Sequence, residues 1–352
     1  MTEDAPLFVL LNTGSGNATP AERRAVIGRV FDEAGRRHEI TVVDAPGRLP
    51  ALARAVVARA RAQGGAVVAA GGDGTINAVV QAVLGSGCPM GVLPQGTFNY
   101  FGRAHGIPTD LEAAARALLS ARTRAVQVGL VNERVFLVNA SLGLYPALLE
   151  DREAWKQRLG RSRPVALAAA AATVLRDHRP LRLTIDVHGE SRQVRTSTVF
   201  VGNNPLQLER LGLPFAGSVG AGLLGLIVVR PIGALGLLWL ALRGALGDLA
   251  DADAIVPYGV ERLVVRPSRL YRARRVKVAT DGEVVWLDVP LRFSVSPEPL
   301  MLLVPAAPGA SEGRDAGAAA CPDVAAGRDA GPGGAGLAAS TTAWSQPGGA
   351  RA

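Results

Sequence analysis

The chain has 352 residues and a formal charge of +8, and its composition already divides it. From Ala306 onward 26 of 47 residues are Ala or Gly, with Pro and Ser between them. Such a stretch buries too little apolar surface to offset its ordering entropy, so it is expected to be a disordered tail. With its three Arg and four acidic residues set aside, the remainder carries about +9, almost all of it Arg. That excludes an acidic carrier and allows a phosphate-bearing partner or an anionic membrane surface. Cys88 and Cys321 are too few for a disulfide framework, and no Cys/His spacing fits structural zinc. The N-terminus runs from an acidic start straight into a strand, so it is not expected to be a signal peptide. The longest apolar run, Ile232 to Leu242, is shorter than the roughly 20 residues that span a bilayer, so a cytoplasmic protein is expected.

Leu7 to Leu11 is a short apolar strand ending in Asn12-Thr13-Gly14-Ser15-Gly16. Thr19-Pro20-Ala21-Glu22 offers an N-cap, a first-turn proline and a capping-box glutamate, so a helix starts there and closes at Gly35. His38 to Val43 reads as strand two, Leu49 to Gln63 as a helix, and Ala66 to Ala70 as a buried third strand. Gly71-Gly72-Asp73-Gly74-Thr75-Ile76-Asn77 follows at once and opens a helix to Leu84. Gly91 to Leu93 is a fourth strand leading into Pro94-Gln95-Gly96-Thr97-Phe98-Asn99. The βαβαβ rhythm predicts a Rossmann-like α/β domain over residues 1–128, with a mostly parallel sheet and ligand loops at the strands' carboxyl ends.

Beyond about residue 125 the pattern changes. Val135 to Asn139, Leu181 to Val187, Arg192 to Val201, Leu223 to Val229, Arg262 to Arg266 and Arg274 to Thr280 read as strands, several in succession without a helix. Helices are expected at Pro164 to Arg176 and Ile232 to Leu246. Residues 129–305 are therefore expected to form a β-rich antiparallel sandwich, its last strands free to return to the first domain, with 306–352 as the tail.

Three glycine-bearing loops at strand ends, each followed by a helix, can offer consecutive backbone N–H groups to a phosphate. The P-loop pattern is absent, no lysine precedes Lys156, and Gly-x-Gly-x-x-Gly is missing too. The grip must then come from backbone amides, helix ends and metal. Asp73 is the one carboxylate in the central loop, and it would repel a phosphate unless Mg²⁺ lay between, which argues for a nucleotide–Mg²⁺ complex.

Gly71-Gly72-Asp73-Gly74-Thr75, together with Leu93-Pro94-Gln95-Gly96-Thr97-Phe98-Asn99-Tyr100-Phe101-Gly102-Arg103, resembles the diacylglycerol kinase catalytic-domain family, which includes bacterial lipid kinases and the sphingosine and ceramide kinases. Asn12 to Gly16 looks like its first nucleotide loop, Asn139-Ala140-Ser141-Leu142-Gly143 and Gly202-Asn203-Asn204 like its second-domain signatures, and Asp281-Gly282-Glu283 like its closing motif. The resemblance implies a two-domain enzyme that moves the γ-phosphoryl of ATP, with Mg²⁺, to a lipid hydroxyl such as that of diacylglycerol. Carried over by motif, Asn12, Thr13, Gly14, Ser15, Gly16, Gly71, Gly72, Asp73, Gly74, Thr75, Asn77, Gly96, Thr97 and Asn99 would hold the nucleotide. Asp73 would meet its Mg²⁺, and Glu283 would be the general base with Asp281 beside it. Taken alone, Asp281-Gly282 is equally a hairpin turn.

Departures from the family pattern are visible. Bacterial members often carry Asp-Asp-Gly and a structural Mg²⁺ where this chain has Ser218-Val219-Gly220-Ala221-Gly222-Leu223-Leu224, so loss of that metal is expected. Asn99-Tyr100 stands where many members have Asn-Asp, and Val43 where a threonine is frequent. Two basic clusters, Arg152 to Arg163 and Arg262 to Lys277, are either membrane-facing or simply solvated. The Ile232–Leu246 helix, with Trp239 and Arg243, is either interfacial or core. Aromatics are only 5%, so nucleic acid is not an expected partner. A cytoplasmic enzyme peripheral to the membrane's inner face is the expectation, and a homodimer is compatible with it. The alternatives are an NAD kinase-like enzyme, whose family shares the Gly-Gly-Asp-Gly-Thr loop, and an inactive nucleotide sensor of the same fold.

Overall fold

The structure, a computed structural model, describes residues 5–14, 18–159, 173–174, 180–187, 189–212, 219–220, 222–246, 255–267 and 274–306. All but two residues of the helix expected at Pro164 to Arg176 lie outside these described residues, as do Ser15, Gly16 and the tail beyond 306.

In the first domain, β1 (Leu7–Asn12), β2 (His38–Val43), β3 (Ala66–Gly71) and β4 (Met90–Pro94) are parallel, in the order β2-β1-β3-β4. Both faces of β1 and β3 are buried, which is why these strands read as unbroken apolar runs rather than alternating ones. Helices α1 (Pro20–Glu33), α2 (Leu49–Ala62) and α3 (Asp73–Val83) cover the sheet with apolar stripes at three- and four-residue spacing, such as Ile27, Val30 and Phe31 of α1. The expected capping box holds α1: the Thr19 hydroxyl accepts from the Glu22 N–H at 3.2 Å, and the Glu22 carboxylate accepts from the Thr19 N–H at 2.8 Å. Two short helices, α4 (Tyr100–Ala104) and α5 (Leu111–Leu119), follow, and the sequence reading passes over both. β5 (Arg122–Val126) lies at the sheet's far edge, and the last strand of the described residues, β18 (Leu300–Val304), returns to lie between β4 and β5.

The second domain consists of two antiparallel sheets. One joins β6 (Gly129–Val131), β7 (Arg134–Phe136), β9 (Leu181–Val187), β10 (Glu190–Thr196), β14 (Arg262–Pro267) and β17 (Leu291–Val295), in the order β10-β9-β14-β17-β6-β7. The other joins β8 (Asn139–Gly143), β11 (Thr198–Gly202), β12 (Leu224–Val229), β13 (Ile255–Val260), β15 (Arg275–Thr280) and β16 (Glu283–Asp288), in the order β13-β12-β11-β8-β15-β16. Among the described residues, helices α6 (Leu144–Leu159), α7 (Pro205–Arg210) and α8 (Ala234–Leu246) accompany them. Among the described residues no helix is long and apolar enough to cross a membrane.

Two expected strands are in fact pairs. Val135 to Asn139 divides into the end of β7 in one sheet and the start of β8 in the other, with Leu137 and Val138 as the step between them. Arg192 to Val201 divides at Ser197 into β10 and β11, again in different sheets. At that second break the Thr196 hydroxyl lies 2.7 Å from the Val229 carbonyl oxygen. Gly143 packs so closely on Ser197 that a Cβ there would come within 2.5 Å of its carbonyl oxygen. Val135 to Val138 form one unbroken buried apolar run, and Arg195 to Thr198 an unbroken polar one, so hydrophobic periodicity marks neither break. The second basic cluster is also less free than its sequence implies: Arg266 pairs with Asp186, Arg275 with Asp288 at 3.6 Å, and Lys277 with Glu150 at 2.7 Å.

Candidate active site

The carboxyl ends of β1, β3 and β4 bring the three glycine loops to one sheet edge, where hydrogen bonds join them. Asn12 donates from Nδ2 to the Thr75 hydroxyl at 2.7 Å, tying the first loop to the second. The Gln95 N–H donates to the Gly71 carbonyl at 2.9 Å, tying the third loop to the second. Gly96 lies so close to Gly72 that a Cβ would stand 3.0 Å from its Cα, so only glycine lets these two loops meet. Within the first loop, Gly14 donates to Asn12 Oδ1 at 3.2 Å, and the Thr13 N–H and hydroxyl both donate to the Val43 carbonyl at 3.1 Å. Asn99 has φ 48°, a left-handed conformation that asparagine tolerates, and folds the third loop by accepting from the Gly96 N–H at 2.9 Å. Thr97 is exposed at the loop's tip.

The fastening that sequence reading missed is Arg23 of α1. It is only 3% exposed and donates to the Asn12 carbonyl at 3.1 Å, the Thr13 carbonyl at 3.1 Å and the Gln95 side-chain oxygen. In the sequence it looks like one more solvated arginine beside Arg24, and only its register on the inner face of α1 sets it apart.

Asp73 opens α3. Its Oδ2 accepts from the Asn99 N–H at 3.1 Å, while Oδ1 is buried with no hydrogen-bond partner. Burial pushes its carboxyl above the ordinary carboxylate range and the Asp281 charge adds to this, against the pull of the Asn99 and Phe101 N–H groups. A buried carboxylate oxygen without a donor is the natural ligand of a hard cation. Facing this loop from the second domain is Glu283, at the start of β16. Its Oε1 would lie 3.0 Å from a Cβ placed on Gly74, and its Oε2 accepts from Arg134 Nη2 at 3.1 Å. Its side chain is 59% exposed, so the carboxylate is both anchored and open to a substrate. Arg134, a second residue missed from sequence, also donates from Nε to the Thr280 hydroxyl at 3.0 Å.

Asp281 and Asn77 do not join this opening. Asp281-Gly282 is a two-residue hairpin turn with φ 49° and 89°, and this backbone swings the aspartate inward. Oδ1 accepts from the Val138 and Asn139 N–H groups at 2.8 and 3.0 Å, and Oδ2 from the Leu137 N–H and Asn77 Nδ2, both at 2.7 Å. Asn77 Nδ2 also donates to the Val135 carbonyl at 3.0 Å. The structure thus places Asp281 and Asn77, expected as a catalytic and a nucleotide-holding residue, inside the protein, bonded to each other and to backbone. Asp281 pins the Leu137–Val138 step between the sheets, and Asn77 joins that step to α3.

Comparison with known proteins agrees with this architecture. Residues 6–131 match the diacylglycerol kinase catalytic domain, and residues 151–304 match the YegS C-terminal NAD kinase beta sandwich-like domain. The chain thus carries a diacylglycerol kinase catalytic domain followed by a YegS-type C-terminal domain. A probable lipid kinase, YegS-like, from Pseudomonas aeruginosa is 40% identical over 146 residues, 41% of this chain and 45% of its own length. A Synechocystis protein is 31% identical over 139 residues, 39% of this chain and only 31% of its own length. A diacylglycerol kinase of Bacillus subtilis is 26% identical over 281 residues, 78% of this chain and 88% of its own. The crystal structure of a diacylglycerol kinase from Bacillus anthracis superposes with a TM-score of 0.62 at 17% identity, covering 86% of this chain and 98% of that one, a likeness of fold.

Two departures from the family pattern acquire a structural form here. Tyr100 stacks on the exposed Phe98, ring centroids 5.6 Å apart, and the Arg210 guanidinium of α7 lies 5.6 Å over the Tyr100 ring. An aromatic and cationic ladder thus occupies the place where many family members have a carboxylate. In the second domain, the described part of the stretch at 218–224 has no carboxylate to ligate a cation. It is held instead by Gln127, which accepts from the Gly222 N–H at 2.8 Å and donates to the Leu223 carbonyl at 3.0 Å and Asn203 Oδ1 at 2.7 Å.

Proposed function

We propose that this protein is an ATP- and Mg²⁺-dependent lipid kinase that phosphorylates the hydroxyl of diacylglycerol or a related lipid alcohol. The observation that carries it is the Glu283 carboxylate of the second domain against Gly74 of the first, the residue that follows Asp73 with its partnerless Oδ1. Backbone N–H groups of the three loops would hold the phosphates, and Asp73 Oδ1 would hold the cation. Bound Mg²⁺ supplies neutralisation of charge on the transferring group. Glu283 accepts the proton of the attacking hydroxyl, while Arg134 fixes the carboxylate's direction. Asp281, Asn77 and Asn99 keep the loops and the catalytic edge in register.

Access to a lipid substrate would come through peripheral contact with an anionic membrane. α8 turns Leu235 and Trp239 outward, 81% and 63% exposed and one helical turn apart, an amphipathic ridge suited to a headgroup layer. Replacing both with serine should weaken sedimentation with anionic vesicles, and unchanged binding would remove α8 from the contact.

The test of function is purified protein with labelled ATP and Mg²⁺, offered lipid alcohols and NAD. Label entering a lipid alcohol supports the proposal. Label entering NAD alone, or nucleotide binding with no transfer at all, would replace it by the NAD kinase or the sensor reading.

A further inference from the structure

Gln95 stands in the third loop between two fixed neighbours. Its backbone N–H is bound to the Gly71 carbonyl at 2.9 Å, which sets the chain at the edge of the second loop. Its side-chain oxygen accepts from Arg23 Nη1. A guanidinium can only donate, so the amide's orientation is decided: Oε1 faces Arg23 and the NH₂ faces the other way. That Nε2 is buried and has no hydrogen-bond partner. A buried donor left unpaired destabilises the fold, so it calls for an acceptor from elsewhere.

The surroundings specify which acceptor. The guanidinium that orients Gln95 also grips the Asn12 and Thr13 carbonyls of the first loop, at 3.1 Å each. No carboxylate among the described residues pairs with Arg23, so its charge stays uncancelled beneath that loop. An unpaired donor beside an unneutralised cation, where glycine loops meet, fits an anionic oxygen.

We propose that Gln95 donates from Nε2 to a phosphate oxygen of the bound nucleotide, and that Arg23 is the positioning residue that aims it. The inference rests on the nucleotide-site reading above and adds a contact to it. Arg23 thereby does part of what a phosphate-binding lysine does elsewhere: it contributes positive charge to the site without touching the ligand itself.

The discriminating variant is Gln95→Glu. A carboxylate keeps an acceptor for Arg23 and strengthens that bond, but it replaces the donor with an anionic oxygen turned toward the phosphate. Binding of ATP with Mg²⁺, measured by titration calorimetry on the full chain, should weaken by at least about tenfold, with thermal stability without nucleotide unchanged or raised. Gln95→Leu, which removes the donor at similar volume, should also weaken binding. A purely structural Gln95 would leave affinity intact in Gln95→Glu, because the contact with Arg23 is retained. Binding of ATP by Gln95→Glu within twofold of the parent would overturn the inference while leaving the nucleotide site standing. A parent protein that binds no ATP would overturn both.

Discussion

At the scale of single residues, the site is organised around two carboxylates that differ in their surroundings. Asp73 is drawn into the protein without a donor for Oδ1, so its charged form burdens the folded state. Its pKa is raised in the native state, so its stabilising contribution is present below the unfolded value and disappears as pH rises through the native one. Asp73→Asn should therefore raise the melting temperature at neutral pH, with the gain fading as the pH falls through the raised native value and gone once it is below the ordinary carboxylate range. The same variant should lose phosphoryl transfer. Calorimetry across pH checks the first part, and a variant less stable than the parent at pH 7 would contradict it. Glu283 depends instead on space: Gly74→Ala would press a methyl group against its carboxylate, given the 3.0 Å approach. A fall of roughly tenfold or more in kcat, with ATP affinity little changed, is expected from moving a general base off its line. Unaltered kcat would mean that the carboxylate's place is immaterial.

Secondary-structure elements explain why some of this was legible in the sequence and some was not. The three loops stood out because each follows a buried strand and ends in a helix start, and chain order alone places such loops at one sheet edge. The capping box at Thr19 and Glu22 was equally readable, since its spacing is fixed by helix geometry. The inward turn of Asp281 was not, because a sequence names the residue of a turn and not the side its carboxylate takes. Nor were the breaks at Leu137–Val138 and Ser197, where a strand-like pattern continues while the chain changes sheets. Arg23 and Gln95 escaped for a related reason, since their partners lie in loops far apart in sequence. Asp281 tests the element-level account. Asp281→Ala would leave three backbone N–H groups and the Asn77 amide without this acceptor, for an expected loss of about 3–5 kcal/mol in denaturant unfolding. Amide exchange should accelerate at Leu137 to Asn139. A loss below about 1 kcal/mol would show that the step between the sheets holds without it.

For the molecule as a whole, the division of labour follows from topology. A parallel sheet can offer loops at only one edge, and those loops present donors and a single carboxylate. A second carboxylate must come from outside that sheet, and the β15–β16 hairpin brings Glu283. β18 then returns to the first sheet, so both domains share one continuous chain path around the site. The central claim is that this juxtaposition is a phosphoryl-transfer site with Glu283 as its base. The most direct measurement is transfer of label from ATP, with Mg²⁺, to diacylglycerol in anionic vesicles, comparing the parent with Glu283→Gln, alongside ATP binding by both. Transfer by the parent, a fall of roughly 100-fold or more in the variant and equal ATP binding are expected. Full transfer by Glu283→Gln would contradict the claim.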